Sequence, residues 1–262
     1  MAATSAEIYF ASLLNDSKRK GIVAALIKNM ASMGITNPYI QAGILSVASK
    51  ESNFTPRNES TYATTPVSRI RAVFGSKLAT YTDAEIERLK KDDYSFFNAV
   101  YGGRFGNAAN EGYKYRGRGF NQLTFKANYQ NVGSKIGVDL VSNPDKVNEI
   151  DTATKVLIQY FKDSFATAQA KGILKSRYGA AHINDFKDLN TATLAAYMAN
   201  AGWPSTPNPP DYTGGKQLAF DRSISFLNIV KENPVKTSIG GVVFFTGLIL
   251  TIATIRNNNS NK

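Results

Sequence analysis

The chain contains no cysteine and one histidine, His182, in 262 residues. Neither a disulfide nor a Cys-ligated metal can hold such a fold, so the burial of apolar side chains must. There is enough material for that. Hydrophobic residues make up 43% and charged residues 19%, the balance of a folded chain rather than a disordered one. The length suits one large or two small domains. The same scarcity prunes the chemistry. A thiol nucleophile, an HExxH zinc site and a multi-histidine metal centre are excluded. No GxSxG nucleophile elbow occurs. Carboxylates remain as the natural carriers of any catalysis.

The formal net charge is +11. A basic surface favours polyanions: nucleic acid, anionic lipid or an anionic cell-wall polymer. Lysines and arginines are scattered rather than blocked, so a single charge reads first as part of a solvated face.

The two ends differ. Met1 to Leu14 carries no Lys or Arg, and Glu7 interrupts its apolar residues, so it does not read as a secretory signal. Thr4 to Glu7 reads instead as a capping box opening an amphipathic helix through Ile8, Phe10, Leu13 and Leu14. From Ile239 to Ile255 the sequence IGGVVFFTGLILTIATI has no charge. This run predicts a C-terminal transmembrane helix near the short end of what spans a bilayer. A buried core helix is the other reading, though such a helix usually shows a polar stripe. Lys231 and Lys236 on one side, with Arg256 and Lys262 on the other, set no orientation. The expected organisation is a folded domain over 1–234, then an anchor and short polar tail over 235–262.

Between the ends the patterns are mostly helical. Thr82 to Glu85 forms a second capping box, opening a helix to about Lys91. Helical periodicity covers Asp151–Phe165 and Thr191–Asn200, and Phe220, Ile224, Leu227 and Val230 share one face of a further helix. Ser52–Ser68 and the Pro-rich Trp203–Asp211 read as loops. Strand signals are few. The fold class is therefore mainly α, with a small strand or loop element near Gly102–Thr124.

One carboxylate stands out. In Tyr39–Phe54, the residues Ile40, Ile44, Val47 and Glu51 fall on one helical stripe. Glu51 is thus expected on the apolar face of a core helix, close to its C-terminus, since Pro56 forbids much continuation. Burial and the negative end of the helix dipole would both raise its pKa, as a general acid requires. A glutamate that salt-bridges to a nearby Arg, or one displaced to the surface because the helix stops earlier, is the competing reading.

The segment Tyr101–Tyr129, YGGRFGNAANEGYKYRGRGFNQLTFKANY, carries GRG, QLT and NY at fixed spacings. Together with KES-x-F and NES-x-Y upstream and GVDLVSNPDKV (Gly137–Val147) downstream, it resembles family 19 glycoside hydrolases, the chitinase and phage-endolysin branch of the lysozyme-like superfamily. The resemblance is good from Ile40 to Val147, weaker to Asn200, and excludes the apolar run. It implies a lysozyme-like α+β domain that cleaves β-1,4-glycosidic bonds of peptidoglycan or chitin by inversion, without a cofactor or metal. By position, Glu51 matches the general acid, Glu59 the base that activates water, and Thr124 a hydroxyl that helps hold that water. Gln122, Asn128 and Tyr129 match substrate-cleft positions, and Tyr115, Arg116 and Arg118 match the cleft wall. For the two arginines, structural bracing of carboxylates is the competing reading.

An inverting pair needs room for a water between its carboxyl groups, and Glu59, eight positions beyond Glu51 in a polar loop, suits that role. Glu111 is a rival base. The chain departs from the family pattern at Lys50, where His is common, and at Phe125, where Gly is usual. Lys50 and Glu51, adjacent on a helix, are expected to point apart. Peptidoglycan is favoured over chitin by the net charge, and no nucleic-acid partner is expected. The uncharged run would seat the protein in a membrane, either the internal membrane of a lipid-containing phage virion or a host inner membrane. Two other readings stay open: a lytic transglycosylase using Glu51 alone, and an inactive wall-binding protein on the same scaffold.

Overall fold

The computed structural model describes residues 4–203 and 215–233. They form helices α1 (Ser5–Leu14), α2 (Ser17–Ser32), α3 (Pro38–Ser52), α4 (Val67–Phe74), α5 (Asp83–Leu89), α6 (Asp93–Tyr101), α7 (Lys126–Ile136), α8 (Ile150–Ala170), α9 (Ile173–Tyr178), α10 (Leu189–Ala201) and α11 (Gly215–Glu232). Short 3-10 turns occupy 75–77 and 144–148. Among the described residues, strand pairing is limited to one isolated antiparallel bridge, Arg118 with Leu123. The small element expected near 102–124 is therefore a looped hairpin.

Local chemistry sets the helix starts. Both expected capping boxes form, Thr4 with Glu7 and Thr82 with Glu85. Asn37 caps α3 by accepting from the Tyr39 and Ile40 amides, with Pro38 at the first helical position, where its missing N–H costs nothing.

Three apolar clusters organise the chain. The largest joins α1, α2, α3, α8, α10 and α11, with Phe54 and Phe120. A second gathers Ile70, Phe74, Phe96, Phe97 and Tyr101, with Tyr62 packed against it. A third holds Tyr115, Leu123, Tyr129 and Val132, and meets α8 at Val156. Helix α3 is the axis of the first cluster. Residues 40–49 are all buried, polar Gln41, Ser46 and Ser49 included. It lies between α10 and α11. At Gly43 an added Cβ would stand 3.0 Å from Thr193 Cα and 3.1 Å from the Ala192 carbonyl oxygen. Only glycine lets α10, lined by Ala192, Ala195, Ala196 and Ala199, approach so closely.

Helix α11 buries a face turned from the one expected. Val230 is buried and Leu227 packs on the core as read, but Ala219, Ser223, Phe226 and Ile229 join them, whereas Ile224 is 51% exposed. Small side chains win because α11 packs tightly on α3, close enough for Ser46 Oγ to donate to the Ala219 carbonyl. The stripe of large apolar residues would have held the two helices apart. The run 239–255 and Pro204–Asp211 lie outside the described residues. Among the described residues, no helix is long and apolar enough to cross a membrane.

Replacing Gly43 by Leu should force α3 and α10 apart and cost about 1–3 kcal/mol, read as a lower midpoint in urea unfolding.

Candidate active site

Helix α3 delivers Glu51 to the edge of the large cluster and then stops. Asn53 and Phe54 adopt positive φ, 47° and 54°, and turn the chain sharply. Phe54 then buries itself against Phe226, ring centroids 5.7 Å apart. The end of α3 is ringed by cations, as the negative helix terminus favours. Arg222 Nη1 donates to Ser49 Oγ at 3.1 Å, and Arg19 Nη1 donates to Asn53 Oδ1 at 3.1 Å.

Glu51 departs from expectation in two ways. Its side chain is 40% exposed, because the buried stripe of α3 ends one turn earlier. Its Oε1 lies 2.5 Å from Lys50 Nζ, so the two adjacent side chains meet rather than diverge. Both swing to the same side at the helix exit, where Lys50 Nζ also sits 5.4 Å from the Tyr197 ring centroid. The burial and the isolation from cations invoked for a neutral acid are thus both missing.

Glu59 is held far more firmly. Tyr101 Oη donates to its Oε1 at 2.9 Å and Tyr62 Oη donates to the same oxygen at 3.3 Å. The Gly117 amide donates to Oε2 at 3.0 Å, while the Glu59 amide donates to the Gly117 carbonyl at 2.7 Å. Neighbouring bonds lace the same strip to the hairpin. Arg57 N donates to the Gly119 carbonyl at 3.4 Å, Gln122 Nε2 to the Arg57 carbonyl at 3.0 Å, and Asn148 Nδ2 to Asn58 Oδ1 at 2.7 Å. Every partner of the Glu59 carboxyl is a donor, which suits an ionised, acceptor-only carboxylate. Glu51 thus closes the large cluster, while the tyrosines that grip Glu59 belong to the second. Seven residues, 52–58, separate the two carboxylates in sequence, where the chain passes from Phe54 of the first cluster to Tyr62 of the second, the seam between the clusters.

The remaining predicted residues divide into two groups. Gln122 is bonded to the strip beside Glu59, and Thr124 and Asn128 follow it in a chain of hydrogen bonds. Gln122 has φ 53° and also donates from Nε2 to the Gly119 carbonyl at 3.2 Å. Thr124 Oγ1 donates to the Gln122 carbonyl at 2.8 Å, leaving its lone pairs for an incoming donor. Asn128 Nδ2 donates to the Thr124 carbonyl at 2.8 Å, steadying the turn.

Tyr115, Tyr129, Arg116 and Arg118 are instead buried. Tyr115 Oη donates to the Val141 carbonyl and Tyr129 Oη to the Arg116 carbonyl. Arg118 bonds Asp145, the Lys114 carbonyl and Tyr129 Oη, and Arg116 stacks on Tyr113 at 4.1 Å. Their side chains support the hairpin from behind and do not present a surface to a ligand. Arg118 thus braces the Asp145 carboxylate, whereas Arg116 donates to the Tyr113 carbonyl and packs on its ring. Glu111 is likewise committed. It accepts from the Ala108 amide and pairs with Lys126 at 3.0 Å, and these contacts, the amide first, hold its pKa below the usual carboxylate range.

Tyr62 and Tyr101 were not singled out from the sequence. The signal was present in NESTY, which sets Tyr62 three residues after Glu59, and in the opening tyrosine of YGGR. Burial, and then the Glu59 charge, pushes the Tyr62 hydroxyl up to about 12 and the Tyr101 hydroxyl still higher. Both therefore stay protonated donors at any working pH. Burial also pushes Tyr129 up to about 12. In the unfolded chain such hydroxyls ionise near 10. As pH rises past 10, the unfolded state sheds protons that the folded state keeps, so stability is lost. The melting temperature should fall between about pH 10 and 12, and Tyr101→Phe should make that fall shallower.

A comparison with curated proteins finds no match. Residues 93–170 match the family model described as class I chitinase, glycoside hydrolase family 19. The matched stretch runs from α6, which supplies Tyr101, through the Gly117–Thr124 hairpin to the end of α8, and so contains most of what grips Glu59. By this match the segment that supplies Tyr101 and Gly117 is similar to glycoside hydrolase family 19, a family of glycosidases.

Proposed function

We propose that the protein hydrolyses β-1,4-glycosidic bonds of peptidoglycan by inversion, with Glu59 as the base and Glu51 as the acid. The observation that carries this is the cradle around Glu59. A carboxylate offers about four acceptor positions. Tyr101 and Tyr62 fill Oε1, and Gly117 fills one position on Oε2. One position on Oε2 is left for a water. Gly117 can approach this closely because it has no Cβ: one would stand 3.1 Å from Oε2 and 2.8 Å from Gln122 Oε1. A water donating there turns its lone pair outward, towards the anomeric carbon of a sugar in the seam. As the water attacks, Glu59 takes its proton and the bond to the leaving oxygen breaks. Glu51 protonates that oxygen.

Lys50 must release Glu51, and the freed carboxylate must take up a proton from solvent, before it can act as the acid. An anionic glycan supplies the exchange, since a substrate carboxylate can take over the ammonium. The net charge of +11 also favours an anionic wall over neutral chitin. The run 239–255 would anchor the enzyme in a membrane, and a lipid-containing phage virion is a setting in which the domain reaches a host wall without export.

Glu59→Gln should lower turnover of purified sacculi about 10²–10⁴-fold, and Glu51→Gln similarly, with reducing ends as the wild-type product by mass spectrometry. Retained turnover in Glu59→Gln with anhydro ends would instead identify a transglycosylase. Lys50→Met should raise kcat/KM on chitin oligosaccharides relative to that on sacculi severalfold, because a neutral substrate cannot draw the ammonium away. Detergent-dependent recovery of the protein from purified virions tests the anchor.

A further inference from the structure

Phe105 is 65% exposed, more than any other large apolar side chain among the described residues. Its φ is +43°, a conformation that bulky side chains rarely adopt. The loop that carries it is nevertheless pinned. The Phe105 carbonyl accepts from the Ala127 amide at 3.1 Å, satisfying one of the free donors at the start of α7. Asn107 ties the loop on both sides, donating to the Tyr101 carbonyl at 2.9 Å and accepting from the Lys126 amide at 2.8 Å. The chain thus spends binding interactions on keeping an apolar ring in water.

The direction of that ring is informative. Its centroid lies 4.7 Å from the Phe125 ring, and Phe125 lies 5.3 Å from the Tyr101 ring in an edge contact. Tyr101 Oη is the donor to Glu59. One continuous aromatic path therefore runs from the Glu59 carboxylate to the surface and ends in an open ring. The Arg104 guanidinium stands 6.0 Å from that ring's centroid.

We propose that Phe105 is a stacking platform for a sugar ring remote from the bond being cleaved, with Arg104 beside it to receive a carboxylate of the glycan. The proposal rests on the assignment of Glu59 above, since the path is traced from that residue. A pyranose offers an apolar face of C–H groups to an aromatic ring, and a polymer held at one more point is aligned across the seam. The occupant is an extended β-linked glycan, not a protein partner.

The test compares full-length Phe105→Ala and Phe105→Trp with wild type on sacculi and on glycan strands graded by length. Phe105→Ala should raise KM for sacculi and long strands about three- to tenfold, keep kcat within about twofold, and leave the shortest cleavable strand unaffected. Phe105→Trp should restore KM. Independently of turnover, Glu59→Gln/Phe105→Ala should sediment with sacculi less than Glu59→Gln does. Unchanged KM and unchanged sedimentation would overturn the platform. So would a loss in kcat shared equally by short and long strands, which would make Phe105 only a brace for Tyr101. If Glu59→Gln itself keeps hydrolytic activity, the Glu59 assignment fails instead, and the two failures are told apart.

Discussion

The Glu59 carboxylate takes hydrogen bonds from three groups that lie far apart in the chain: Tyr62 just before α4, Tyr101 at the end of α6, and the Gly117 amide of the hairpin. None of these could be left unpaired cheaply. Tyr101 is buried, and removing one partner from a buried, charge-assisted hydrogen bond leaves the other desolvated. The second cluster and the hairpin are therefore fixed relative to each other through one side chain. The strip 57–59 is bonded edge to edge with 117–119, so the loop leaving α3 inherits the same frame.

Much of this was legible in the chain, but unevenly. Capping boxes are local, needing only a hydroxyl and a carboxylate three residues apart, and both formed as read. The α11 face was not legible. Which stripe of a helix is buried depends on the partner's shape, and α3 offered a groove for Ala219 and Ser223 rather than for Ile224. Glu51 failed for a related reason. A stripe argument assumes one wet face and one dry face, whereas α3 is dry all round until Ser49 and then leaves the core. Periodicity therefore placed Ile40, Ile44 and Val47 correctly and carried no information about the final turn. The buried roles of Tyr115 and Tyr129 were also invisible, and that of Arg118 stayed one of two readings, since the spacing of GRG…NY is the same whether those side chains touch a ligand or one another.

Backbone strain is concentrated where the chemistry is proposed. Among the described residues, the non-glycine positions with positive φ are Asn53, Phe54, Phe105, Gln122 and Phe125. Each such residue costs on the order of 1–3 kcal/mol and persists only where its surroundings over-determine it. Phe54 is held by burial against Phe226, and Gln122 by two carbonyls. Phe125 occupies the position where glycine is usual in the motif, yet the turn survives with φ 73°. The compensation is visible: its amide donates to the Tyr115 carbonyl at 2.9 Å and its ring packs on Tyr101. A side chain here strains the turn but supports the tyrosine that grips Glu59, an exchange that glycine could not make.

The two carboxylates differ in how complete their surroundings are, and the difference matches what each would do. A base that aims a water must be rigid before the sugar arrives, because misplacing the nucleophile by a fraction of a bond length lowers the rate. Glu59 meets that need with protein donors alone. An acid acts on an oxygen that the substrate itself brings, so part of its environment can come from the substrate. Glu51, 40% exposed and resting on Lys50, has the outward half of its surroundings open. A glycan lying in the seam would cover the carboxyl, and its own anionic group would compete for the ammonium. Under the proposed roles, burial of Glu51 would come with the glycan rather than from the free protein, and a neutral polymer would supply the cover without the competing charge.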